Sequence, residues 1–155
     1  TKISMAVAAT RENVSVVQAA VASSTGISGF SIAQSNSMGY ITDTAAYLVP
    51  TLSVDEFCRQ RSIAAPNLMK IDVEGAELQV LEGARGVLLE GRTVIFLALH
   101  GPEQERQCIA FLDAIGYRLT YLNGREARDR PLRSDEIVAL PPGFDSRVVA
   151  AAKED

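Results

Sequence analysis

Positive charge is in the minority in this chain: 15 lysines and arginines stand against 19 acidic residues, for a formal net charge of −4 and a pI near 5.1. Binders of nucleic acid or of anionic membrane surfaces carry a basic surplus, so neither is expected as a partner. No apolar run approaches the roughly 20 residues of a membrane span. Cysteine is scarce, with only Cys58 and Cys108, far apart in sequence; they read as two reduced, semi-buried thiols rather than a disulfide or metal pair. Histidine occurs once, as His100. No phosphate loop, Ser-His-Asp arrangement or zinc-type spacing is present, and no metal ligand is assigned. Internal repeats and low-complexity linkers are missing too. The chain opens Thr1-Lys2-Ile3 without a signal-peptide pattern, so a cut N-terminus and a cytoplasmic location are expected.

What is there is ordinary globular composition: 155 residues, 47% hydrophobic and 22% charged, enough for one domain with a core that needs no disulfide staples. Thr1 to about Glu12 reads as the last turns of a helix. Val14–Val21 is a β-branched run of strand length, and Ile27, Phe30 and Ile32 suggest a second short strand. The polar stretch Gln34–Thr44 reads as a loop, followed by an extended Ala45–Thr51 in which Pro50 favours an edge position. Ser53-Val54-Asp55-Glu56 fits a capping box opening a helix through about Arg61. Asn67–Val73 is a nearly continuous apolar strand. Leu78, Leu81, Ala84 and Leu88 then recur at helical spacing across Glu74–Leu89, where Gly83 and Gly86 suggest close approach of helix and sheet. Thr93–Leu99 is a further apolar strand, Pro102 opens a helix that Gly116 can end, and Tyr117–Leu122 and Glu136–Leu140 are the last strands. This alternation predicts an α/β fold on a parallel sheet.

Chemistry concentrates in Lys70-Ile71-Asp72-Val73-Glu74-Gly75-Ala76-Glu77. Asp72 lies at the C-terminal end of a buried strand, where open α/β sheets place ligand-binding groups. Lys70 and Asp72 share one strand face, while Met69, Ile71 and Val73 fill the other. Glu74 and Glu77, three apart, are expected side by side on the first helical turn, so three carboxylates converge at one sheet edge. The plainer alternative is that acidic residues in a first turn only support the helix dipole, each by about 0.3–1 kcal/mol. His100 closes an apolar strand at the same edge. It is a general-base candidate near neutral pH, or a histidine that merely ends a strand. Arg125, Arg128, Arg130 and Arg133, interleaved with acids, read as a solvated loop.

The octapeptide Lys70–Glu77, with Val80-Leu81-Glu82-Gly83-Ala84 after it, resembles the signature of FkbM-type methyltransferases. Val16–Val21 is similar to the family's third strand, Pro50–Phe57 to its Pro-x-Thr-x-Leu-Asp segment, and Phe111–Tyr117 to its late helix ending in Gly-Tyr. The resemblance spans roughly residues 13–122. It implies transfer of a methyl group from S-adenosylmethionine, mostly to hydroxyls of sugars and natural products, on a Rossmann-like class I sheet of strand order 3-2-1-4-5-7-6. It further implies Asp72 near the methionine part of the cofactor or the acceptor hydroxyl, Glu74 and Glu77 orienting substrate or supporting the turn, His100 as base, and Ala20 and Val21 near the adenine.

Two departures stand out. The family's Glu-x-His reads Ala98-Leu99-His100 here, which leaves Lys70 to lean on Asp72. The family's opening strand, Gly-x-Gly loop and ribose-binding acid find no counterpart; Gly26-x-x-Gly29 and Gly83-x-x-Gly86 do not follow a strand and open a helix. The expectation is therefore a partial methyltransferase domain over residues 1–143, lacking its N-terminal strands and glycine loop, with a frayed tail at 144–155. Alone, it should bind S-adenosylmethionine very weakly. Its partner would be a small-molecule hydroxyl substrate. Val14–Val21 would shift to pair with Asn67–Val73, or another chain would fill that exposed sheet edge as a homo-oligomer. A non-catalytic α/β remnant and a sugar-binding module are the alternatives.

Overall fold

The computed structural model describes residues 14–32, 39–41, 47–127, 131–132 and 134–145. Two four-stranded mixed sheets make up an α/β architecture. The first contains β1 (Ala20–Val21), β2 (Gly26–Ile32), β3 (Gly39–Ile41) and β4 (Tyr47–Leu52), in the order β1-β4-β2-β3. The second contains β5 (Leu68–Ile71), β6 (Val94–Ala98), β7 (Arg118–Tyr121) and β8 (Glu136–Leu140), in the order β5-β6-β8-β7. Helices α1 (Val54–Arg61), α2 (Glu77–Gly83), α3 (Arg85–Leu89) and α4 (Pro102–Ala114) lie between the strands in sequence.

The core follows the period-2 rule of strands. Ile71 of β5, Ile95 and Leu97 of β6, Leu119 of β7, and Ile137 and Ala139 of β8 are buried in one cluster with Val80, Leu81, Val87, Leu88, Cys108, Ile109 and Leu112 of the helices. Tyr117 ties the helical layer to the sheet, its buried hydroxyl 3.2 Å from the Leu88 carbonyl and 3.1 Å from that of Thr93. Burial pushes its pKa up. Both cysteines are free and buried. No helix among the described residues is long and apolar enough to cross a membrane.

Several sequence expectations give way. The sheets are mixed, not parallel: β5 and β6 run parallel, but β8 is antiparallel to both β6 and β7, and β2 is antiparallel to β3 and β4. Of the Val14–Val21 run, only Ala20 and Val21 join a ladder, parallel to Thr51 and Leu52 of the first sheet. Val14, Val16 and Val17 are exposed, because β-branched residues favour a pleated surface only where a partner strand exists. The expected pairing with Asn67–Val73 does not form; among the described residues β5 pairs only with β6. Part of the expected Gln34–Thr44 loop is strand β3, paired through Phe30–Ile41, Ser31–Tyr40 and Ile32–Gly39.

Pro50 sits in an interior strand rather than an edge strand. It is tolerated because β1 reaches only Thr51 and Leu52, leaving Pro50 paired on the β2 side alone, opposite Ile27. The capping box is half made: Ser53 Oγ accepts from the Glu56 amide at 3.3 Å, but the Ser53 amide donates to Thr25 Oγ1 at 3.1 Å. Glu56 instead bonds Arg59 and Gln60. The expected helix over Glu74–Leu89 starts only at Glu77 and breaks at Ala84 into α2 and α3. Across that break, Asp55 of α1 accepts from the amides of Gly86 and Val87 at 2.7 and 2.9 Å, satisfying the donors that open α3.

Gly83, the last residue of α2, is where that helix meets the first sheet. A Cβ placed there would stand 2.1 Å from the carbonyl oxygen of Ala22, just past β1, and 3.1 Å from Ser53 Cβ. Only a residue without a side chain permits this approach. The Thr1–Glu12 helix, Arg128, Arg130 and Arg133 of the arginine loop, and residues 146–155 of the tail lie outside the described residues.

Candidate active site

β5 and β6 run parallel, with Ile71 beside Leu97, so both release their chains at the same sheet end. Asp72 follows β5 directly, and His100 follows β6 by two residues, anchored by the Leu99 amide donating to the Asp135 carbonyl at 2.8 Å. Between β5 and α2 the backbone turns through two consecutive left-handed residues, Glu74 at φ 54° and Gly75 at φ 101°. Glycine adopts this conformation freely, whereas glutamate does so at a cost. Glu74 therefore precedes the helix instead of sharing its first turn with Glu77. The carboxylates still converge, but around the imidazole.

Glu77 opens α2 with a fully buried side chain, 0% exposed. Its Oε1 lies 2.7 Å from His100 Nδ1 and accepts from the Gly75 amide at 2.9 Å, while Oε2 has no hydrogen-bond partner. With Nδ1–H donating to Glu77, neutral His100 presents the lone pair of Nε2 to the other two acids. Glu74 Oε2 is 3.6 Å and Asp72 Oδ1 3.8 Å from Nε2. The second Asp72 oxygen takes Lys70 Nζ at 3.1 Å, the partner expected once the family's glutamate is replaced by Ala98. Asp72, Glu74 and His100 are 52, 45 and 31% exposed, so this pole is open to a ligand. The hydrogen bond that His100 donates to Glu77 raises the pKa of His100 above its ordinary value; burial opposes it, and the charges of Glu74, Glu77 and Asp72 reinforce it. Helix α4 steadies the site from behind: Gln104 Oε1 accepts from the Leu78 amide at 3.3 Å.

A methyltransferase FkbM domain model matches residues 1–128. The chain belongs to the FkbM methyltransferase family. No curated protein and no solved structure matches it. Within this FkbM domain the structure brings together Asp72, Glu74, Glu77 and His100 of the expected site residues. Ala20 and Val21 sit apart from them in the first sheet, with Val21 lining an apolar cavity of about 410 Å³ against Val54, Phe57, Met69, Ile71 and Val73.

The sequence did not announce that cavity, because its walls come from β1, α1 and β5, which are distant in the chain and individually read as core. Nor did it assign Gly75 an amide that holds Glu77. The glycine at position 75 was the only available signal, and glycine alone does not specify a positive φ.

Proposed function

We propose that this FkbM domain takes part in S-adenosylmethionine-dependent O-methylation of a small-molecule hydroxyl, on a Rossmann-like class I sheet. The observation carrying the reading is the carboxylate–histidine cluster at the C-terminal ends of two parallel strands in a chain of this family, the end where α/β sheets bind ligands. The second sheet's order β5-β6-β8-β7, with β8 antiparallel, supports the fold assignment: it corresponds to the run 4-5-7-6 of the order that the family resemblance implies.

Bound S-adenosylmethionine supplies an electrophilic methyl group on a sulfonium. The residues suit such a group in two places: the apolar cavity beside Val21 offers room for a planar base, and the exposed carboxylates Asp72 and Glu74 complement a cation. Ala20 is assigned to the adenine on the family resemblance alone, as the neighbour of Val21. Asp72 orients the acceptor hydroxyl or the methionine part, Glu77 holds the His100 ring, and the cluster deals with the hydroxyl's proton. Fixing two reactants in contact is the larger share of the work.

Among the described residues no Gly-x-Gly loop lies at a strand-to-helix turn, so the 155-residue chain alone should bind the cofactor very weakly; calorimetry giving low-micromolar affinity would contradict this. In the full-length protein, Asp72→Asn and His100→Ala should each lower methyl transfer from radiolabelled cofactor by about 10²–10⁴-fold, the usual worth of a positioned proton-transfer group. Unchanged turnover in both folded variants would remove the cluster from the chemistry.

A further inference from the structure

We propose that Asp72, Glu74 and His100 form a three-ligand site for a divalent first-row cation, of the Mn²⁺ or Zn²⁺ class. The inference rests on the reading of this pole as the acceptor end and adds an occupant to it. One donor atom from each residue lies within 4.8 Å of the others. The separations of Nε2 from Glu74 Oε2 and Asp72 Oδ1, 3.6 and 3.8 Å, are too long for hydrogen bonds. They suit atoms sharing one ion, because ligands at about 2.0–2.2 Å from a metal stand roughly 3–4 Å apart.

The residue behind the ligands provides the independent observation. Glu77 is a fully buried carboxylate turned onto the ligand histidine, with one oxygen on Nδ1 and the other lacking any donor. A buried, half-satisfied carboxylate is costly. Behind a metal-binding imidazole it has a use, since a carboxylate on the far ring nitrogen fixes the tautomer that offers Nε2 and makes the imidazole a stronger ligand. Lys70 occupies only Oδ2 of Asp72, leaving Oδ1 for the ion. One imidazole and two carboxylates, with no thiolate, favour a borderline or hard cation over a soft one. Because the ligands are partly exposed, coordination positions stay open for water or a substrate oxygen, whose proton the cation makes more acidic.

The test is a Mn²⁺ titration of the chelator-treated chain, followed by electron paramagnetic resonance. A single micromolar site is expected, with loss of at least 100-fold in Asp72→Asn and His100→Ala and about 10–100-fold weakening in Glu77→Gln, the usual worth of an outer carboxylate. Glu90→Gln, which removes the distant Arg92 ion pair, should bind as the wild type does. On the unmodified chain, the signals of its one histidine should broaden at substoichiometric Mn²⁺, a readout independent of how the variants fold. Only millimolar binding, sharp histidine signals at saturation, or affinity indifferent to Asp72→Asn and His100→Ala would overturn the site. No methyl donor enters this assay, so its failure leaves the methyl-transfer reading intact, and failure of methyl transfer leaves the cation site standing.

Discussion

Replacing Gly83 by alanine tests the junction between helix α2 and the first sheet. The added Cβ would lie 2.1 Å from the Ala22 carbonyl oxygen, a distance real Cβ atoms do not reach, and 3.1 Å from both the Ala22 carbonyl carbon and Ser53 Cβ. The obstacle is backbone, and the Ala22 amide is itself bonded to the Leu52 carbonyl at 3.1 Å. The end of β1 and helix α2 must therefore part by about 1 Å, and overpacking of this kind costs about 1–3 kcal/mol. Against this stands the helix preference for alanine over glycine, at most about 1 kcal/mol and smaller at a terminal residue. Gly86→Ala makes the same chemical change at a different place: its Cβ meets the Asp55 carboxylate at 2.9–3.1 Å, so any loss there falls on the cap that Asp55 makes to the Gly86 and Val87 amides and leaves Ala22 untouched. Urea unfolding at constant m-value should place Gly83→Ala below the wild type by about 1–3 kcal/mol. Exchange of the Ala22 amide should accelerate in Gly83→Ala alone. A Gly83→Ala variant as stable as the wild type, with unaltered exchange at Ala22, would refute the reasoning.

Two further outcomes follow from buried polar groups. Tyr117→Phe removes the hydroxyl proton shared between the Leu88 and Thr93 carbonyls and should lower stability by about 1–2 kcal/mol; an unchanged denaturation midpoint would show that the link contributes nothing. Burial, the largest cause, together with the nearby charges of Glu77 and Glu82, pushes the Cys108 thiol up from 9.0 to about 12. Cys108 should therefore resist iodoacetamide at pH 8 until the protein unfolds. Its preference for the protonated fold is fully in place below pH 9 and is lost as pH rises toward 12, so stability should decline across that window. Alkylation of native Cys108 at the rate of a free thiol would contradict this.

Much of the local structure was legible because its determinants are local. Ser53 marks the start of α1, Pro102 opens α4 ahead of Gly116, and the apolar runs locate β6 and β8. Pairing was not legible. Nothing in Val14–Val21 says that only its last two residues will find a partner, or that the partner is Thr51–Leu52 rather than Leu68–Ile71, because register depends on segments distant in sequence. At the site, the octapeptide singled out Asp72, Glu74 and Glu77 together. Helical spacing, however, predicted that Glu74 and Glu77 would face one another on a turn, whereas the left-handed backbone at Glu74 and Gly75 directs both to His100 instead. That contact joins residues on two different strand ends, and periodicity carries no information about it.

β8 is the last of the described strands along the chain but lies between β6 and β7. During synthesis β5, β6 and the intervening helices can assemble as soon as they emerge, whereas β7, beyond its local bridge from Thr120 to Glu126, joins the sheet only when the ribosome has delivered residues through Leu140. Ile95 and Leu97 wait for Ala139 and Ile137, and Arg118 for Leu140; such late, non-local closures are the slow steps of folding. The Asp135 carbonyl that anchors Leu99 arrives in the same stretch, beyond the residues the family model matches. A nascent chain stalled before Asp135 would already carry Asp72, Glu74, Glu77 and His100, with the strand end bearing the histidine still unanchored. Completion of the site is thereby coupled to completion of the sheet.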